Sequence, residues 1–118
     1  MPATQVPNTP SDKAQKISDL NDNFRRFLSG GQIVITQGIQ ALTKDQQIAV
    51  LRGVTNFSAF TEANDPHQEH DFGSIDIDGI KIFWKIDCYD LTLTYHSPDA
   101  TNPKVTRRVL TIMTASEY

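Results

Sequence analysis

The stretch FGSIDIDGIKIFWKIDC, residues 72–88, decides the fold. Asp78-Gly79 interrupts two alternating apolar runs, and Asp-Gly in that setting is the strongest short-range signal of a tight hairpin. On the return, Ile80, Ile82, Trp84, Ile86 and Cys88 point to one face, while Lys81, Phe83, Lys85 and Asp87 point to the other. The first face is wholly apolar, so another layer has to cover it.

That layer is found upstream. Ile17, Leu20, Phe24, Phe27 and Leu28 recur at three-to-four spacing behind Ser11 or Asp12 as caps, predicting a helix that ends before Gly30-Gly31. Asp19, Asp22, Arg25 and Arg26 fall on its other side and can pair along it. The β-branched run 33–36 predicts a strand. Thr43 stands three residues before Gln46, a capping-box spacing, and Ile48, Leu51, Val54 and Phe57 behind it predict a second amphipathic helix. Gly53 weakens that helix by about 1 kcal/mol relative to Ala, unless a neighbour's backbone needs the room.

Downstream, Leu91, Leu93 and Tyr95 predict a third strand. A loop over 97–103 then leads to a last strand over 105–114, with Leu110 and Ile112 inward. The expected product is one α+β domain over 11–118. Two helices from its N-terminal half pack on one face of a mainly antiparallel sheet of four to five strands. Residues 1–10 hold three prolines and no apolar period, which predicts a flexible tail.

Eleven Lys and Arg against fourteen Asp and Glu leave a net charge of −3 over 118 residues. A nucleic-acid partner is therefore not expected. No apolar run reaches the length of a membrane span and no basic-then-apolar signal opens the chain, so the expected location is the cytoplasm. The single cysteine, Cys88, cannot form an internal disulfide and reads as a small buried side chain. The charge is unevenly spread. Glu62, Asp65, Glu69, Asp71, Asp76, Asp78, Asp87 and Asp90 face only Lys81 and Lys85 in the middle of the chain. Such an acidic middle suits internal pairing, or a protein partner with a basic surface.

The densest polar stretch is NDPHQEHDFG, residues 64–73, where helical period gives way to strand alternation. Asp65-Pro66 looks like a helix start, and one turn would place His67 and His70 on the same side, flanked by Glu69 and Asp71. Two imidazoles and a carboxylate can hold a divalent metal. The alternative to a cofactor-free protein is thus a metal-dependent hydrolase with His67, His70 and Asp71 as ligands, Asp87 or His96 as substitutes for the third, and Glu69 as base. Known metal spacings fit poorly. HQEH is not the H-E-x-x-H helix, it lacks one residue of H-x-x-E-H, and the deaminase H-x-E has no P-C-x-x-C half in this chain. A brace in which Asp65, His67 and Asp71 fix the path of an irregular connection is the preferred reading.

Around the hairpin, Asp76, Asp78, Lys81 and Lys85 lack the acid-x-lysine step of metal-dependent nucleases and read as a solvated sheet face. Trp84 lies with the isoleucines and is expected in the core, whereas Phe83 lies on the polar face as an interface anchor. The expected binding residues are Asp65, His67, Glu69, His70, Asp71, Asp76, Asp78 and Phe83.

The segments LNDNFRR (20–26), NDPHQEHDFG, FWKIDCYD (83–90) and RVLTIMTASEY (108–118) resemble a family of unknown function common on plasmids and conjugative elements of alphaproteobacteria. The resemblance runs from about Leu20 to the final tyrosine. It implies a setting among the accessory genes of mobile elements, near anti-restriction proteins. Joined to the acidic middle, it points to a small binding protein, not an enzyme, that blocks a host restriction or CRISPR complex.

Overall fold

Ser11 opens the first helix, its Oγ accepting from the Ala14 N–H at 3.0 Å, and Leu28 closes it in the left-handed conformation. The computed structural model describes residues 9–118, so most of the expected tail lies outside the described residues. In chain order the elements are α1 (Asp12–Phe27), β1 (Gln32–Ile35), α2 (Gln37–Gln40), α3 (Lys44–Thr55), β2 (Phe72–Ile77), β3 (Ile80–Tyr89) and β4 (Arg107–Thr114). Short 3₁₀ turns occupy Pro103–Val105 and Ala115–Glu117.

The fold is α+β, as the sequence implied. The sheet order is β1-β4-β3-β2, antiparallel except where β1 runs parallel to β4. The hairpin falls at Asp78-Gly79, both residues at positive φ. Along β3, Ile82, Trp84, Ile86 and Cys88 are buried in strict alternation. They meet Leu110 and Ile112 of β4, Phe24 of α1, Ile39 of α2, Val50 and Val54 of α3, and Phe57. This is one layer of helix on one face of the sheet. Among the described residues no α-helix packs on the opposite face, where Tyr118, after the last 3₁₀ turn, lies against Phe72 and Phe83.

Several expectations need correction. Leu91, Leu93 and Tyr95 form no strand; they are 53%, 44% and 73% exposed, on a loop joined to the sheet only by a bridge between Tyr89 and His96. The cause is Asp90, whose Oδ1 accepts from Thr92 Oγ1 and from the N–H groups of Thr92 and Thr94 at 2.8–3.2 Å. Those bonds wind the chain back on itself and leave Leu93 at φ 60°. The last strand accordingly begins at Arg107, because Val105 lies in a 3₁₀ turn that Asn102 caps.

The capping box of α3 is present in both directions, Thr43 Oγ1 accepting at 3.1 Å and Gln46 Oε1 at 3.0 Å. The buried stripe, however, is Val50 and Val54, which turns Ile48 and Leu51 outward. What Gly53 makes room for is a side chain rather than backbone, since a Cβ there would stand 2.7 Å from Ile75 Cδ1. On α1, Phe27 is 70% exposed while Arg25, expected outside, is fully buried. The C-terminal turn is pinned by Glu117. Hydrogen bonds from Thr36, Thr114 and Gly38 lower its carboxyl pKa to about 2.

Candidate functional site

The loop between α3 and β2 does not make the helical turn that Asp65-Pro66 suggested. Gln68 and His70 both take positive φ, so the chain reverses and the two histidines part. His67 is exposed at the surface. His70 swings inward and stacks flat on Phe60, with ring centroids 3.8 Å apart. Its Nδ1 lies 2.9 and 3.0 Å from the two carboxylate oxygens of Asp22, and its Nε2 lies 3.6 Å from Asp65. Asp65 is buried, and its Oδ1 accepts from the His70 N–H at 3.2 Å.

These bonds belong to a larger brace that α1 supplies. Asn21 Nδ2 donates to the Glu69 carbonyl at 2.9 Å, and Asn21 Oδ1 accepts from Arg108 Nε at 2.7 Å. The buried Arg108 also donates to the carbonyl of Ala100. One asparagine thereby holds the loop before β2 and the start of β4 together. Arg25 does the same for α3. Its guanidinium donates to the carbonyls of Val54 and Phe57 at 2.8 and 3.0 Å, pairs with Asp22 at 2.9 Å, and lies 4.9 Å above the Trp84 ring. Burial pushes the Arg25 pKa down, and the hydrogen bond and charge of Asp22 pull it back. The carbonyls it satisfies end α3, where a cation is favoured by the helix dipole.

Glu69 and Asp71 line a different cleft of about 350 Å³, together with Asp87, Cys88, His96 and Asp99. The Asp71 carboxyl is raised above its ordinary range, first by burial and then by the charge of Asp65. Burial likewise raises the Cys88 thiol. Among the described residues, no three of His, Cys, Asp and Glu are grouped so as to hold a metal ion. Both nitrogens of His70 face carboxylates that belong to the brace. The expected binding residues therefore separate. Asp65 and His70 belong to the brace, Glu69 and Asp71 to the second cleft, and His67 to the open surface.

Asp76 and Asp78 stand at the β2–β3 hairpin. Both are exposed and line a groove with Thr43, Asp45, Gln46 and Ala49, and Gln46 Nε2 donates to Asp78 at 3.3 Å. Phe83 lies on the sheet face away from the helices, 5.2 Å from Phe72 and 5.4 Å from Tyr118 between ring centroids.

Asp22 and Arg25 pair along α1 as their spacing implied, but sequence reasoning missed that they, with Asn21, Phe60 and Arg108, anchor the loop before β2. A signal for two of them was available. Ala14, Ile17, Ser18, Asn21, Phe24 and Arg25 share one buried stripe of α1, so Asn21 and Arg25 fall on the apolar side of the helix. A polar residue in that position needs partners from another element.

Fold and brace together define a small α+β domain whose polar loop is structurally anchored and whose helices pack on one face of the sheet. The chain belongs to the family described as "Protein of unknown function (DUF3768)", whose model matches residues 35–117. The matched span begins at the end of β1, so α1 and the residues it contributes to the brace lie outside it. No curated protein and no solved structure matches the chain.

Proposed function

We propose that this chain is a cytoplasmic accessory protein of a mobile genetic element that acts by binding another protein. Its partner offers a basic surface, such as the nucleic-acid groove of a host restriction or CRISPR complex. The observation that carries this reading is the carboxylate end of the molecule. Asp45 in the first turn of α3 and Asp76 and Asp78 beside the β2–β3 turn line a single open groove. Asp76 faces Lys81 across the hairpin, while Asp78 accepts from the neutral amide of Gln46. Exposed like charges gathered on a rigid hairpin steer a basic partner and orient it, acting mainly on the association rate. The resemblance to plasmid-borne proteins supplies the setting.

The test is inhibition of restriction in cells carrying the protein, scored by plating of unmodified phage. Asp76→Asn combined with Asp78→Asn is expected to abolish protection while the thermal midpoint stays unchanged. Full protection by a folded double variant would overturn the reading.

A further inference from the structure

The two edges of the sheet are finished differently. β1, at one edge, is four residues long, and Gln40 Nε2 donates to its Ile35 carbonyl at 2.7 Å. β2, at the other, is six residues long and has β3 as its one strand neighbour. The bond from the Ile86 N–H to the Asp71 carbonyl at 2.8 Å fixes which backbone groups of β2 face β3. Asp71 and Ile86 stand opposite each other, one step beyond Phe72 and Lys85, so they form a bonded pair. Bonded pairs recur at every second residue of an antiparallel ladder. Gly73, Ile75 and Ile77 therefore bond β3, while the N–H and C=O groups of Phe72, Ser74 and Asp76 point outward. Among the described residues nothing bonds those outward groups.

This edge is also one wall of the groove already described, of about 540 Å³, with Asp76 and Asp78 on one side and Asp45, Gln46 and Ala49 of α3 on the other. A free strand edge beside a helix is the geometry that takes up an extended peptide as an added strand. Main-chain bonds supply the affinity, and alternate side chains the specificity. Charge states what kind of segment fits. No Lys or Arg lines the groove, whereas Asp45, Asp76 and Asp78 are all exposed. Ile75 points towards Gly53 of α3, so Asp76, the next residue, points to the other face of the sheet. An added strand thus meets Asp45 with side chains of one parity and Asp76 with those of the other. Lys or Arg is complementary on either side.

We propose that β2 takes up an extended, Lys- or Arg-bearing segment of the protein partner as an additional strand, bonded to Phe72, Ser74 and Asp76 and seated beside α3. This rests on the reading that the partner is a basic protein, and it specifies how that partner is held.

Ser74→Pro tests it. The Ser74 N–H faces outward, so proline there spares the bonds to β3 while removing the central donor of the edge and obstructing an incoming strand. The variant is expected to keep the wild-type thermal midpoint and to lose protection against restriction. Protection kept by folded Ser74→Pro but lost in the Asp76→Asn, Asp78→Asn double variant would overturn strand addition and leave the carboxylate reading standing. Protection kept by both would overturn both. A second measurement needs no variant. A blocked peptide of alternating Lys and Val, about eight residues long, is titrated to about 1 mM into the isotope-labelled full chain. The amide protons of Phe72, Ser74 and Asp76 are expected to shift and to gain exchange protection, and those of Gly73 and Ile75 to change least. N-methylation throughout the peptide, or Glu in place of Lys, is expected to weaken binding at least tenfold. Unmoved amides at Phe72, Ser74 and Asp76, or binding indifferent to N-methylation, would overturn the proposal. So would shifts of the same amides with protein concentration alone, since a second copy would then occupy the edge.

Discussion

Two loops of this chain invert the usual rule that charge faces water and hydrocarbon faces inward. The loop before β2 is rich in charge, yet Asp65 is 4% exposed and His70 is stacked on a phenylalanine. The loop after β3 is rich in hydrocarbon, yet Leu91, Leu93 and Tyr95 stand in water. The difference lies in where each loop finds hydrogen-bond partners. In the first, the partners belong to α1, far away in sequence, so the loop is drawn down onto the helix. In the second, one carboxylate within the loop supplies them, so the backbone closes locally and no side chain has to be buried.

The hardest way to break this contrast is to remove the anchor. Arg25→Met keeps most of the side-chain volume but strips the carbonyls of Val54 and Phe57 and the Asp22 carboxylate of their partner. Removing one member of a buried, hydrogen-bonded charge pair costs about 3–5 kcal/mol. Urea unfolding monitored by the fluorescence of Trp84, which lies under the guanidinium, reads that loss directly. A cost below about 1 kcal/mol would mean that Arg25 merely fills space.

A narrower test uses the two histidines, three residues apart in sequence. His70→Ala loses the stack on Phe60 and the bonds to Asp22, with an expected cost of about 1–2 kcal/mol. His67→Ala, at an exposed position, is expected to change stability by no more than about 0.5 kcal/mol. Equal costs would place the two rings in one site after all.

This pair also shows what could be read in advance. The hairpin, the capping box of α3 and the buried face of β3 follow from short-range periodicity and turn chemistry, and all three are legible in the residues. The divergence of His67 and His70 is not, because it depends on left-handed backbone at Gln68 and His70, a conformation uncommon for any residue but glycine. Nor could the alternation of Leu91, Leu93 and Tyr95 reveal that Asp90 would capture the chain first. Period 2 describes a strand only if a neighbouring strand is there to pair with it. For Arg25 the signal was present and pointed the other way. Its charge suggested solvent, whereas its position on the Ile17–Phe24 stripe placed it inside.

The smallest effect sharpens the second loop. Hydrogen bonds from the Thr94 N–H, the Thr92 hydroxyl and the Tyr95 and Thr92 N–H groups hold the Asp90 carboxyl below its ordinary range. A carboxyl whose folded pKa is depressed contributes stability that is complete above its unfolded value and is lost as pH falls through the folded one. Loop order is therefore expected to persist at neutral pH and to fade below about pH 4, the ordinary range of an aspartate. Asp90→Ala should reproduce the acid behaviour at pH 7. The measurement is amide proton NMR of Thr92, Thr94 and Tyr95, whose shifts should move together as the acid closes or releases the turn, with β3 unaffected. Shifts that stay constant down to pH 2.5 would show that Leu93 holds its left-handed backbone for another reason. The apolar tip would then owe its exposure to packing at its base rather than to one carboxylate.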